Sequence, residues 1–279
     1  MSPSKLHYLA LSLLSGGFVA ELIDEYTAAF QRIARFEFVT KGMILTAQEI
    51  LDEIRLLGSD SYKRVIFKHG VKEPCFGVKI SELQKIVKRI KKDYQLALDL
   101  YDTGVYDAMY LAGLIADDAK MTKKDLQRWV SQANCSAVCG SPVAWVASGS
   151  KHGYELAVEW IDSKKPLVAV AGWATLGSLV SIKDDAELDL AAFQRLLQRV
   201  QKEIHQAPDL VRYQMNSFVI AVGCYVKALT DTAIQVAEKI GPVTADLGDN
   251  SCQVPFAPDY IRKVQQRDAI GKKRKTAKC

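Results

Sequence analysis

What most constrains this chain is a helical apolar period that recurs along most of its length, with almost no strand alternation to compete with it. AQEILDEIRLL places Ile50, Leu51, Ile54 and Leu57 on one helical stripe, with Thr46 positioned to cap and Gly58 to stop it. SELQKIVKRIKK repeats the pattern. Its stripe is Leu83, Ile86, Val87 and Ile90, and Lys85, Lys88, Arg89, Lys91 and Lys92 crowd the other side. Further helices are expected over 94–101 and 106–117, and from Thr122, where Asp125 three positions on makes a capping-box-like pair. Others are expected near 142–149, 153–162, 166–181, 189–205, 209–227 and 230–240. FEFVT at 36–40 is too isolated to make a sheet.

Helices of roughly 10 to 18 residues joined by short turns predict antiparallel pairs stacked in sequence. WIDSKKPLVAVAGWATLGSLVS reads as one joint: an amphipathic helix, a Lys-Lys-Pro turn, then a small-residue helix that can approach its neighbours closely. That is the habit of HEAT-like repeats, in which one helix pair cannot bury its apolar face alone. The expected fold is all-α, a HEAT/ARM-like superhelix, and so a curved solenoid of antiparallel helix pairs.

Gly and Pro are sparse, at 17 and 8 of 279 residues, and no linker-like stretch divides the chain, which favours one domain over 43–258. Residues 1–42 form an N-terminal extension open to three readings. Lys5 and the apolar stretch from Tyr8 to Ala20 could be a weak signal sequence, against which Phe18 sits where a small residue is wanted; the stretch could be an extra helix; or Met43 could be the natural start. No run approaches the ~18 uninterrupted apolar residues of a membrane span, so no membrane partner is expected. Six scattered cysteines do not make a dense disulfide framework, and a cytoplasmic setting is expected, nucleoid-associated, or nuclear in a eukaryote.

The net charge of +5 is uneven. Residues 262–279 hold eight Lys/Arg against Asp268 alone, a local +7, leaving −2 for everything before them. This basic tail, 259–279, could grip a polyanion, keep the protein soluble, or serve as a nuclear address through its KKRK cluster.

FGVKISELQKI resembles the early repeat of the HEAT-repeat DNA alkylation-repair proteins, the alkylpurine DNA glycosylase-like superfamily. RYQMNSFVIAVGCYV and the ending DNSCQVPFAPDYIRKV with IGKKRKTAKC resemble one subgroup of it, and the likeness covers about residues 43–279. The resemblance implies a basic concave face that holds duplex DNA and excises N3- or N7-alkylated purines. Such a purine is already cationic and leaves readily, so the protein must mainly stabilise developing positive charge on the sugar, a task suited to an indole and a carboxylate. The family's Trp and, four residues on, Asp fall by ungapped alignment on Cys135 and Cys139, and its Arg falls among Ala169, Val170 and Ala171. A second aromatic is retained in kind as Phe218. A neutral thiol has neither a π-face nor a fixed charge, so the subgroup lacks the usual catalytic pair.

Cys135 and Cys139, in QANCSAVCGSPVAWVA, could also be a metal pair, a redox pair or small core residues. Only His152 lies near in sequence and no cation is within a turn, which favours packing; no metal or cofactor is expected. Asn216 and Arg212 share one face of an apolar helix, as a packing device or as ligand and phosphate contacts. Asp246, Asp249, Asn250 and Cys252 cluster in TADLGDNSC, as a structural turn or a metal loop of no calcium-type spacing. Trp129, Trp145, Trp160 and Trp173 sit in apolar patterns and are expected in the core, with Trp145 the candidate for stacking. The DNA-contacting set is Lys85, Lys88, Arg89, Arg212, Asn216 and Lys272, Lys273, Arg274 and Lys275. A DNA-binding monomer that makes phosphate contacts is the first reading, and a non-catalytic scaffold holding a protein partner in its groove is the alternative. Steep salt dependence separates the two.

Overall fold

The computed structural model describes residues 45–249 and 252–278, and Thr46–Cys279 forms one compact unit. The expectations for residues 1–42, for FEFVT and for Asn250 lie outside the described residues. What is described is all-helical, in the HEAT-like arrangement of stacked helix pairs that the periodicity predicts.

The chain opens with α1 (Ala47–Leu56), capped as expected by Thr46 in a full capping box with Glu49, and α2 (Asp60–Phe67). The basic helix α3 spans Ile80–Ile90, with Lys79 as its N-cap. The loop before it is pinned from a distance. Buried Asp107 accepts the backbone N–H groups of Phe76 at 2.6 Å, Gly77 at 3.3 Å and Val78 at 2.8 Å, which is what the Phe-Gly-Val motif is for in this chain. Gly77 has φ +76, and a Cβ there would lie 2.6 Å from the Ser59 carbonyl oxygen, so both the turn and the close approach require glycine.

From there the helices alternate between two layers. α4 (Tyr94–Asp102), α6 (Lys123–Gln132), α9 (Gly153–Ile161), α11 (Leu190–Glu203) and α13 (Thr230–Ile240) are the first members of successive pairs. Their partners form the second, inner layer: α5 (Tyr106–Ile115), a composite helix, α10 (Pro166–Ile182), α12 (Asp209–Tyr225) and α14 (Ala257–Gln266), each packing on the next. Polar rungs join the first layer: Arg128 to Asp102 at 3.0 Å, Lys123 to Glu155, Gln127 to Glu159 at 2.7 Å, and Arg199 to Asp162 at 2.7 Å. The core lies between the layers. Trp129, Trp160, Trp173, Phe193 and Phe218 are all buried there, and each Phe contributes about 1.5–3 kcal/mol by leaving water.

The composite helix corrects an expectation. The Gly-Ser-Pro break does not start a new helix: α7 (Ser136–Val138) runs through a π turn, Cys139–Val143, into α8 (Ala144–Gly149). A wider turn tolerates Pro142, which has no N–H to give an α-helical bond. Pro142 packs where Gly113 of α5 leaves room, since a Cβ on Gly113 would lie 2.6 Å from the Pro142 Cβ.

The basic tail differs from the free arm that composition suggested. Residues 271–278 run across the C-terminal ends of the inner helices and bind their exposed carbonyls in succession. Gly271 donates its N–H to Cys224 O in α12, Arg274 donates its N–H to Ser181 O in α10, and the Lys273 ammonium donates to Val180 O at 2.9 Å and meets Asp185. Lys278 reaches Ala116 O, just past α5, and Asp118, each at 2.7 Å. Cations belong there, because a helix C-terminus carries partial negative charge. Among the described residues no single helix is long and apolar enough to cross a bilayer.

Candidate nucleic-acid interface

The inner helices present two different surfaces at their two ends. Near their N-terminal ends lies a cleft of about 400 Å³, lined by Ser136, Gly140 and Ser141 from the composite helix, Val170 from α10, and Tyr213, Gln214 and Ser217 from α12. His69, at the end of α2, and Leu247 and Cys252, on the extended chain that follows α13, close it. His69 Nδ1 and Cys252 Sγ are 3.9 Å apart across this opening. Among the described residues no carboxylate, ammonium or guanidinium is in the lining.

Cys135 and Cys139 do not reach the cleft. Both are buried, 4% and 0% exposed. Burial pushes the Cys135 thiol up and that of Cys139 to about 12, so both stay protonated and act as small packing residues. The residues that face the opening are one position further on: Ser136 and Gly140 share the same four-residue spacing on the adjacent face. The packing of the composite helix against its neighbours decides this. Neither pair supplies an indole or a carboxylate.

Phe218 is likewise a core residue, 5.2 Å from the ring of Trp173 and 6.2 Å from that of Phe193, and it touches no groove. All four tryptophans are buried; Trp145 meets Tyr110 edge-on at 5.3 Å and offers no surface for stacking. Arg212 and Asn216 hold the chain that follows α13. Arg212 donates to Thr244 O at 2.8 Å and Ala207 O at 2.9 Å, and Asn216 Nδ2 to Pro255 O at 2.9 Å. Asn216 is only 2% exposed and its amide is used, so it is a packing device and not a base contact. Asp246 accepts the N–H of Gly248, a turn within its own loop, and among the described residues no three His, Cys, Asp or Glu side chains converge on a metal position.

The basic residues lie outside this cleft. Lys85, Lys88 and Arg89 are exposed on α3, Lys85 paired with Glu82 and Arg89 with Glu53, and none lines the cleft. In the tail Lys273 is committed to α10, while Lys272, Arg274 and Lys275 point to solvent. Burial pushes the Asp118 carboxyl up, and the charges of Lys278, 2.7 Å away, and of Lys92, two residues past the basic helix, oppose that rise. The tail, laid across the C-terminal ends of the inner helices, is a basic edge opposite the cleft.

A family model described as DNA alkylation repair enzyme matches residues 52–245. The chain belongs to this family. Within the DNA alkylation repair family it is similar to the Listeria innocua protein Lin0241, at 28% identity over 80% of this chain and 99% of that one. It is also similar to Lmo0209 of Listeria monocytogenes, at 27% identity and the same coverage. A solved structure superposes with a TM-score of 0.78 at 31% identity, covering 84% of this chain and all of that one. It represents "a new family of proteins related to the HEAT-like repeat DNA glycosylases with affinity for branched DNA structures".

Proposed function

We propose that this member of the DNA alkylation repair family binds duplex and branched DNA through phosphate contacts and does not excise bases at its cleft. The observation that supports the absence of excision is the lining itself. Stabilising a developing oxocarbenium ion calls for a fixed negative charge or a π-face beside the sugar, and the positions facing the cleft at the family's spacing are Ser136 and Gly140. The relative's affinity for branched DNA supports the binding half, as does the edge where Lys272, Arg274 and Lys275 are exposed.

The test pairs two assays on the same protein. Binding to a four-way junction and to a linear duplex is titrated with salt, and base release is followed on duplex carrying N7-methylguanine and N3-methyladenine. Salt-sensitive binding that favours the junction, with release at the spontaneous rate, is the expected result. Release above that rate would overturn the non-catalytic reading, and the absence of DNA binding would favour a protein partner for the inner face.

A further inference from the structure

The cleft is unusual for a DNA-binding surface in that no Asp, Glu, Lys or Arg among the described residues lines it. Ser136, Ser141, Gln214 and Tyr213 line it, and none of their side chains has a hydrogen-bond partner among the described residues. A phosphate would find only neutral hydroxyl and amide side-chain donors here, with no ammonium or guanidinium among the described lining residues to balance its charge. An apolar side chain would leave these polar groups desolvated and unpaired. The ligand that fits is neutral and has both donors and acceptors on its edge.

A nucleobase has that chemistry. A side-chain amide offers one donor and one acceptor to a base edge, hydroxyls take either role, and a tyrosine ring accepts a stacked base. A cleft of about 400 Å³ lies at the small end of ligand-sized cavities and suits one planar group. Gly140 keeps it open: a Cβ there would meet only Gln214 Oε1, at 3.8 Å. A paired base cannot present its edge, so the occupant must come from a gap, a bulge or a junction point. The basic edge is within reach. Val170 lines the cleft and Val180 binds the tail, ten residues apart on α10, or about 15 Å along its axis.

We infer that this cleft takes one unpaired nucleobase, and that this contact distinguishes interrupted from continuous DNA while the basic edge holds the backbone. The inference rests on the DNA-binding reading above. It is separable from it, because a protein that binds phosphate alone would not register whether a base is present.

Fluorescence anisotropy on three labelled duplexes tests it: one continuous, one with a single unpaired adenosine bulge, and one with an abasic residue in the bulge. The wild-type protein is expected to prefer the adenosine bulge to the abasic bulge by about tenfold. Gly140→Leu, which fills the cleft, and Gln214→Ala, which removes the amide, should each bring that ratio to about one; circular dichroism checks that both variants are folded. Equal affinity of the wild type for the two bulges overturns the base pocket and leaves DNA binding standing. A ratio that persists in both variants places the base elsewhere and overturns the assignment. Failure to bind any of the three duplexes removes the DNA-binding reading itself.

Discussion

The ammonium of Lys278 donates to the carbonyl of Ala116, 162 residues earlier in the chain, and so fastens the tail to the first helix of the inner layer. The same ammonium is 2.7 Å from Asp118, and neither side chain is more than 20% exposed. Burial pushes the Asp118 carboxyl up and the Lys278 ammonium down, both toward the neutral form, so desolvation cancels much of the pair's attraction. Removing one partner leaves a charge without its mate. Asp118→Ala is expected to lower unfolding stability by about 2 kcal/mol, while the double variant Asp118→Leu/Lys278→Met should lie within about 1 kcal/mol of the parent. Urea unfolding midpoints at neutral pH separate the two outcomes.

Asp107 is a second long-range clamp. Asp107→Ala leaves three N–H groups of the Phe-Gly-Val loop without an acceptor and is expected to cost at least about 3 kcal/mol. Gly77→Ala should damage the same loop by forcing a Cβ against Ser59 O at positive φ. Thermal unfolding, together with hydrogen exchange at Phe76 to Val78, tests both.

The buried thiols give the protein an alkaline limit. Burial pushes Cys75 and Cys139 up to about 12 and Cys224 to about 11, whereas an unfolded thiol ionises near ~8.5. Above that pH the unfolded chain releases protons that the folded chain keeps, so stability falls as pH rises. The loss is about 1.4 kcal/mol per pH unit for each thiol until its folded pKa is reached. Unfolding midpoints at pH 8, 9 and 10 should decline in order, and Cys139→Ala should shallow the decline. Under native conditions an alkylating reagent should modify exposed Cys252 and spare Cys135 and Cys139.

Gly113→Ala tests the packing of the π turn. The added methyl would lie 2.6 Å from the Pro142 Cβ, which is overpacking in a buried seam worth about 1–3 kcal/mol. Gly177→Ala, whose Cβ would find ordinary contacts at 3.6 Å and beyond, is the matched control in the inner layer and should be nearly neutral or stabilising.

Three tail residues carry the DNA prediction. Replacing Lys272, Arg274 or Lys275 by Ala should each reduce the dependence of log affinity on log salt by about 0.9 and weaken binding to all duplexes alike. Lys273→Ala should act differently. Its ammonium is bound to Val180 O and Asp185, so the expected loss is in unfolding stability, with the salt slope unchanged.

Sequence alone determined the helices, several of their caps and the repeat class, because apolar spacing and capping chemistry act within a few residues. Thr46 with Glu49, Thr122 with Asp125, and the close-packing α10 were all legible in that way. The motif FGV was legible as a marker, but not its cause, since Asp107 lies thirty residues on and looks like any acid in a helix. Rotation and long-range docking were decided only by the tertiary fold. The seating of the composite helix sends Cys135 and Cys139 into the core and Ser136 and Gly140 to the cleft, and spacing of four describes either pair equally well. The +7 tail reads from composition as a loose basic arm. Folding commits Lys273 and Lys278 to helix ends and leaves Lys272, Arg274 and Lys275 free, because unsatisfied carbonyls at the C-termini of inner helices exist only once the layers have stacked.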